Sequence, residues 1–220
     1  MKSEIILALD VDNFTKAKYF VNKTYPKIKI FKVGLQLFSA AGPRVIDFIQ
    51  KRGGEVFLDL KLFDIPNTVA SAVRQATRHK VKMLTLHISG GEEMIKAAIA
   101  AACDEAKKLK FKRPLLIGVT VLTSKKTKPS AVLDLAKFGI QAGLDGVVCS
   151  GREAKDLRNK IKSKFVIVTP GIRPNGGVKN DQKRTVTVEE AIKAGSNFLV
   201  IGRPILEAED PLKAVLDLLR

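Results

Sequence analysis

The chain has 220 residues, 45% of them hydrophobic, and 39 lysines and arginines against 22 acids give a formal charge of +17. The length suffices for one large core, and no apolar run approaches the roughly 20 residues of a membrane span. The lysines carry no interleaved aromatics and no zinc-finger spacing is present, so neither a nucleic-acid nor a membrane partner is expected. The excess charge reads as a basic solvated surface or as attraction for an anionic small substrate. Met1-Lys2-Ser3-Glu4 leads directly into a strand with no charged and then apolar leader, so export is not expected. Cys103 and Cys149 lack metal-ligand spacing and read as buried free thiols in a reducing, cytoplasmic compartment.

Short β-rich runs alternate with amphipathic segments along the chain. A strand over Ile5–Asp10 precedes a helix over Phe14–Asn22, and Ile28–Val33 precedes Gln36–Arg52. Glu55–Lys61 leads to Thr68–His79, Met83–Ile88 to Glu92–Lys108, and Leu115–Thr120 to Ala131–Ala142. Gly146–Ser150 is followed by Arg152–Arg158, Phe165–Thr169 by Val188–Ala194, and Asn197–Gly202 by Pro211–Leu219. Gly53-Gly54, Gly139, Gly143 and Gly195 are expected to close helices, and Pro43, Pro129 and Pro211 to open them. This rhythm predicts an α/β fold, a single-domain (β/α)8 barrel over residues 1–220, small against the roughly 250 residues usual for it. A doubly wound open sheet is the alternative, but it normally stops at five or six strands.

A barrel gathers its active site at the C-terminal strand ends, and the polar residues fall there. Asp10 ends the first predicted strand, Lys32 stands near the end of the second, and Asp59 and Lys61 stand at the end of the third. His87 and Thr120 follow on the fourth and fifth, with Thr123 just beyond. Pro170-Gly171-Ile172-Arg173 follows the seventh and Gly202-Arg203 the eighth. Alternation puts Ile6, Ala8 and Asp10 on one face, likewise Ile30 and Lys32, and likewise Phe57, Asp59 and Lys61. Asp64 lies just past the strand. In isolation Asp59-x-Lys61-x-x-Asp64 is a salt bridge at a loop; at a barrel rim the same buried charges demand a use. His87 reads as a structural hydrogen-bonding group and His79 as solvated.

Loops after the seventh and eighth strands are a frequent phosphate site in this architecture. Gly202 allows close approach to backbone N–H groups and Arg203 offers a bidentate fork. The polar, glycine-bearing stretch from Arg173 to Gln182 reads as a lid over a ligand.

Together these residues resemble the orotidine 5′-phosphate decarboxylase family. The resemblance rests on Leu9-Asp10, Phe31-Lys32-Val33-Gly34, the run Asp59-Leu60-Lys61-Leu62-Phe63-Asp64-Ile65-Pro66-Asn67-Thr68, and Val121-Leu122-Thr123-Ser124. It continues through Gly143-Leu144-Asp145-Gly146, Thr169-Pro170-Gly171-Ile172-Arg173 and Val200-Ile201-Gly202-Arg203-Pro204-Ile205, collinear over essentially the whole chain. The interval from Lys125 to Ala142 is shorter than in many bacterial members and opens on the basic loop 125–129.

The resemblance implies decarboxylation of orotidine 5′-phosphate to UMP, the last step of de novo UMP biosynthesis, with no cofactor and no metal. Lys61 would protonate C6 of the pyrimidine. Asp59 would face the substrate carboxylate in a charge network with Lys32, Lys61 and Asp64. Asp10 and Lys32 would hold ribose hydroxyls, and Thr123 the pyrimidine. Arg173, Gln182, Gly202 and Arg203 would grip the phosphate and close the lid. A homodimer is implied, in which Asp64 and Thr68 reach the partner's site, and Ile65 is implied to be a substrate-binding residue.

The residue types suit the chemistry. Loss of carbon dioxide leaves a carbanion on a ring carbon with no adjacent electron sink, so positive charge must stand ready where negative charge develops. Two rivals remain at this level: a metal-dependent sugar-phosphate enzyme on the same scaffold, and a non-catalytic basic module that binds nucleic acid.

Overall fold

The computed structural model describes residues 3–122, 127–173 and 186–219. The strands are β1 (Glu4–Ala8), β2 (Ile30–Gly34), β3 (Glu55–Leu62), β4 (Met83–His87), β5 (Leu115–Val119), β6 (Gly146–Val148), β7 (Val166–Pro170) and β8 (Phe198–Ile201). Each pairs in parallel with its neighbours in sequence, and β8 pairs with β1, closing the expected (β/α)8 barrel. The helices are α1 (Phe14–Thr24), α2 (Leu35–Ala41), α3 (Arg44–Lys51), α4 (Pro66–Arg78) and α5 (Gly91–Lys108), then α6 (Pro129–Gln141), α7 (Gly151–Lys160), α8 (Val188–Lys193), α9 (Arg203–Leu206) and α10 (Pro211–Leu218). Their starts are chemically marked. Asn13 caps α1 through the Lys16 amide, Thr187 and Glu190 form a capping box on α8, and Asp210 caps α10 ahead of Pro211.

Period-two alternation divides the core into two layers. Ile6, Ala8, Ile30, Phe57, Met83, Ile117, Val168, Phe198 and Val200 fill the barrel interior. The intervening residues, among them Leu7, Phe31, Val56, Leu84, Leu116, Ile167 and Leu199, face outward under the helices. Each fully buried side chain of this size contributes about 1.5–3 kcal/mol. The interior column also sets up the site, because its upper positions are where polar residues replace apolar ones.

Three expectations need correction. The helix predicted over Gln36–Arg52 is two helices, because Gly42 adopts φ +59° and Pro43 follows it, so the chain turns between α2 and α3. The short helix α9 directly after β8 was not predicted; Pro204 sits in its first turn, where its missing N–H costs nothing. Cys103, expected to be buried, is exposed on α5, whereas Cys149 is buried and its thiol pKa is pushed up by burial.

The positive charge has a structural pattern. Lys23, Lys51, Arg78, Lys107, Lys160 and Lys193 all stand in the last turns of their helices, facing the negative end of the helix dipole. In a (β/α)8 barrel those helix ends lie opposite the C-terminal strand ends. Much of the basic excess is therefore surface chemistry remote from the rim.

Candidate active site

The site is built around an irregularity between β3 and β4. Leu58 pairs with Leu84 and Leu62 with Leu86, so residues 59–61 stand opposite the single residue Thr85. This is a bulge in β3, and it changes the reason why Asp59 and Lys61 meet. Simple alternation was expected to put them on one face. Instead Lys61 takes φ +52°, a left-handed conformation that costs a non-glycine residue about 1–2 kcal/mol. Its backbone N–H donates to Thr85 Oγ1 at 2.9 Å, and Thr85 Oγ1 donates to Asp59 Oδ1, also at 2.9 Å.

A chain of alternating charges crosses the mouth of the barrel. The Lys61 ammonium lies 2.8 Å from Asp59 Oδ2, and Lys32 Nζ lies 3.7 Å from the same oxygen and 2.7 Å from Asp10 Oδ1. The side chains of Lys32 and Asp59 are 11% and 12% exposed, and that of Lys61 is 32% exposed, leaving its ammonium open to a ligand. Burial pushes the Asp59 carboxyl pKa up. The two ammoniums, with hydrogen bonds from Lys61 and Thr85, outweigh that and hold it below its ordinary value. Asp59 is therefore ionised at neutral pH, and the formal charges of the four side chains sum to zero.

These groups line one side of a cavity of about 580 Å³ at the C-terminal end of the strands. Arg173, Gly202 and Arg203 line it as well, and Phe57, Val119, Val148, Val168 and Val200 give it apolar surface. The two arginines add positive charge beyond the tetrad, offset in part by Glu207, which also lines the cavity. The cavity thus suits a ligand with a flat apolar body and an anionic group.

Of the residues singled out from sequence, Asp10, Lys32, Asp59, Lys61, Arg173, Gly202 and Arg203 converge on this cavity. Asp64, Ile65 and Thr68 are exposed and stand outside its lining, and Asp64 Oδ1 accepts the Ile65 N–H at 2.7 Å. Thr123 and Gln182, with most of the expected lid, lie outside the described residues. His87 is not in the lining either; its ring packs 5.6 Å from that of Phe63. The Thr120 hydroxyl donates to the Val148 carbonyl at 2.8 Å, which is a structural role. His79 is partly exposed, 4.0 Å from Asp47.

Sequence reasoning missed Thr85 and Glu207. For Thr85 the sequence offers only a polar residue in a buried strand, two residues after Met83 on the inward face of β4, with nothing to mark its partners. Glu207 lines the cavity from the first residue beyond α9, a helix that was not predicted. Among the described residues no cluster of three or more histidines, cysteines or acids offers a metal site. The two carboxylates in the cavity's charge chain, Asp10 and Asp59, are both engaged by lysines.

The model of the family described as "Orotidine 5′-phosphate decarboxylase / HUMPS family" matches residues 3–218. The chain is 46% identical over 226 residues to orotidine 5′-phosphate decarboxylase of Lawsonia intracellularis, covering 99% of this chain and 98% of that one. It is 44% identical over 225 residues to the enzyme of the same name from Moorella thermoacetica, covering 97% of this chain and 89% of the relative. Among solved structures, orotidine 5′-phosphate decarboxylase from Lactobacillus acidophilus superposes with a TM-score of 0.86 at 35% identity, covering 99% and 97% of the two chains. A match of this extent, in sequence and in fold, establishes that the chain belongs to the orotidine 5′-phosphate decarboxylase / HUMPS family.

Proposed function

We propose that this protein converts orotidine 5′-phosphate to UMP and carbon dioxide, with Lys61 as the proton donor. The observation that carries this reading is the Lys61 ammonium, held 2.8 Å from an ionised Asp59 in a cavity that also holds Arg173 and Arg203. The substrate phosphate lies against Gly202, Arg203 and Arg173. The ribose hydroxyls meet Asp10 and Lys32, and the pyrimidine rests on the apolar surface. The C6 carboxylate then points toward Asp59.

Cleavage of the C6–carboxylate bond leaves its electron pair on C6 as carbon dioxide departs. The Lys61 ammonium stabilises that charge and transfers a proton to C6, and the neutral amine recovers a proton from solvent. Lys32 and Asp59 keep the ammonium aimed before the charge develops, so little reorganisation is needed during the reaction. Phosphate contacts remote from C6 contribute binding energy toward ordering the site. This mechanism uses only side chains of the protein.

The active unit is a homodimer. Phe63 and Ile65, which flank Asp64 in the chain, and Leu35, the first residue after β2, are large, exposed apolar residues, and a second copy covers them. In that arrangement Asp64, Ile65 and Thr68 complete the partner's cavity, and Asp64 extends the charge chain beyond Lys61. Among the described residues no helix is long and apolar enough to cross a membrane. With both cysteines unpaired, the enzyme suits the cytoplasm.

The test is an ultraviolet assay with orotidine 5′-phosphate, with and without EDTA. Turnover insensitive to chelator supports the reading, and absence of turnover overturns it. Lys61→Ala should lower kcat by at least about 10⁴-fold, since it removes both the acid and the stabilising charge, while UMP still binds. Equal losses of turnover and UMP affinity would remove Lys61 from this role.

A further inference from the structure

Thr85 is fully buried on β4, two residues after the inward-facing Met83. It is the one residue opposite the three-residue bulge 59–61, and its hydroxyl is engaged on both sides. A hydroxyl has one proton and two lone pairs. The backbone N–H of Lys61 can only donate, so Thr85 Oγ1 accepts there, and its own proton goes to Asp59 Oδ1. No other assignment satisfies both contacts.

We infer that Thr85 is a positioning residue for the decarboxylation, its single hydroxyl fixing both the Asp59 carboxylate and the left-handed backbone of Lys61. The inference rests on the proposed roles of Asp59 and Lys61. With Oδ1 held by Thr85, Oδ2 is the oxygen turned toward the ammoniums of Lys61 and Lys32. With its amide held, Lys61 keeps φ +52°, and this conformation aims its side chain into the mouth of the barrel. A strained backbone persists only where its surroundings over-determine it, and here one hydrogen bond from a neighbouring strand does so.

The charged groups facing Asp59 are Lys32 from β2 and Lys61 from β3, with Asp10 beyond Lys32; Thr85 is the neutral group facing it from β4. Lys32 and Lys61 do most to lower the Asp59 pKa, and the Thr85 hydrogen bond adds a smaller contribution in the same direction. Its loss therefore raises that pKa and moves the acid limb of the kcat profile to higher pH. A purely structural threonine would leave that limb in place.

The experiment compares Thr85→Val, which keeps the shape without the hydroxyl, with Thr85→Ser, which keeps the hydroxyl. Wild-type turnover of orotidine 5′-phosphate tests the functional reading separately, and UMP affinity reports an intact cavity. The expected result for Thr85→Val is a kcat about 100-fold lower, a geometric penalty, with UMP affinity retained and the acid limb displaced upward. Thr85→Ser should recover most of both. With wild type active, a Thr85→Val kcat within about tenfold of wild type overturns the inference, as does an unmoved acid limb. Loss of UMP binding that serine fails to restore also overturns it, since the residue would then support the fold rather than aim the pair.

Discussion

A β-carbon on Gly34 would lie 2.9 Å from the Lys32 ammonium and 3.5 Å from Asp10 Oδ1. The glycine at the end of β2 therefore leaves the space in which the first ion pair of the tetrad sits. Its φ of −96° is open to any residue, so alanine brings no backbone strain. The atom that must give way is the tip of a flexible side chain. Gly34→Ala is expected to cost less than about 1 kcal/mol, a Tm shift within about 4 °C, while kcat/KM falls about 10- to 100-fold. Steady-state kinetics beside a thermal melt check this, and wild-type kinetics would show that Lys32 tolerates displacement.

The proposed sharing of active sites between subunits makes a distinct prediction. Lys61→Ala and Asp64→Ala homodimers should each be nearly inactive. In a hybrid dimer one site carries both changes and the other carries neither. Mixing the two variants under conditions that allow subunit exchange should restore up to about a quarter of wild-type activity: half the dimers are hybrids, each with one intact site. If mixing restores nothing although hybrids form, Asp64 does not act across the interface.

Acid should unfold the protein partly through Asp59. Its native pKa lies below the ordinary value of 3.8, so the unfolded chain binds its proton first as pH falls. The stabilisation is fully present above pH 3.8 and is lost as pH drops through the lower native value. Urea titrations at several pH values should show this component in the wild type and not in Asp59→Asn. An identical acid dependence in the two proteins would contradict it.

At the opposite end of the barrel, Asp145 accepts from Arg113 at 2.6 and 2.9 Å and from the Leu116 amide at 2.8 Å. This bidentate pair ties the start of β5 to the turn before β6, on the face where stability rather than catalysis is determined. Asp145→Ala should lose about 2–3 kcal/mol and lower Tm by about 5–10 °C. Its kcat should remain at the wild-type value, measured well below the melting temperature. A fall in kcat without a fall in Tm would assign the pair to function instead.

Much of this molecule is legible in one dimension because its determinants are local. A strand buries alternate residues, so Ile6-x-Ala8-x-Asp10 and Phe57-x-Asp59 announce both an inward face and the point where it meets solvent. Eight such strands separated by amphipathic helices leave few architectures other than a closed parallel barrel. The charged rim followed from the same periodicity, as did the convergence of Asp10, Lys32 and Asp59, while Arg173 and Arg203 followed from their places in the loops after the seventh and eighth strands. Residues that act on neighbours far away in the chain were not legible. Thr85 looks like any buried threonine until β4 is laid beside the bulge, 24 residues from the amide that it holds. Gly34 reads as a strand-end glycine until Lys32 and Asp10 close around it. Alternation fixed which residues face inward, whereas strand register and the space between strands decided how Lys61 is aimed, since both depend on contacts that only closure of the barrel creates.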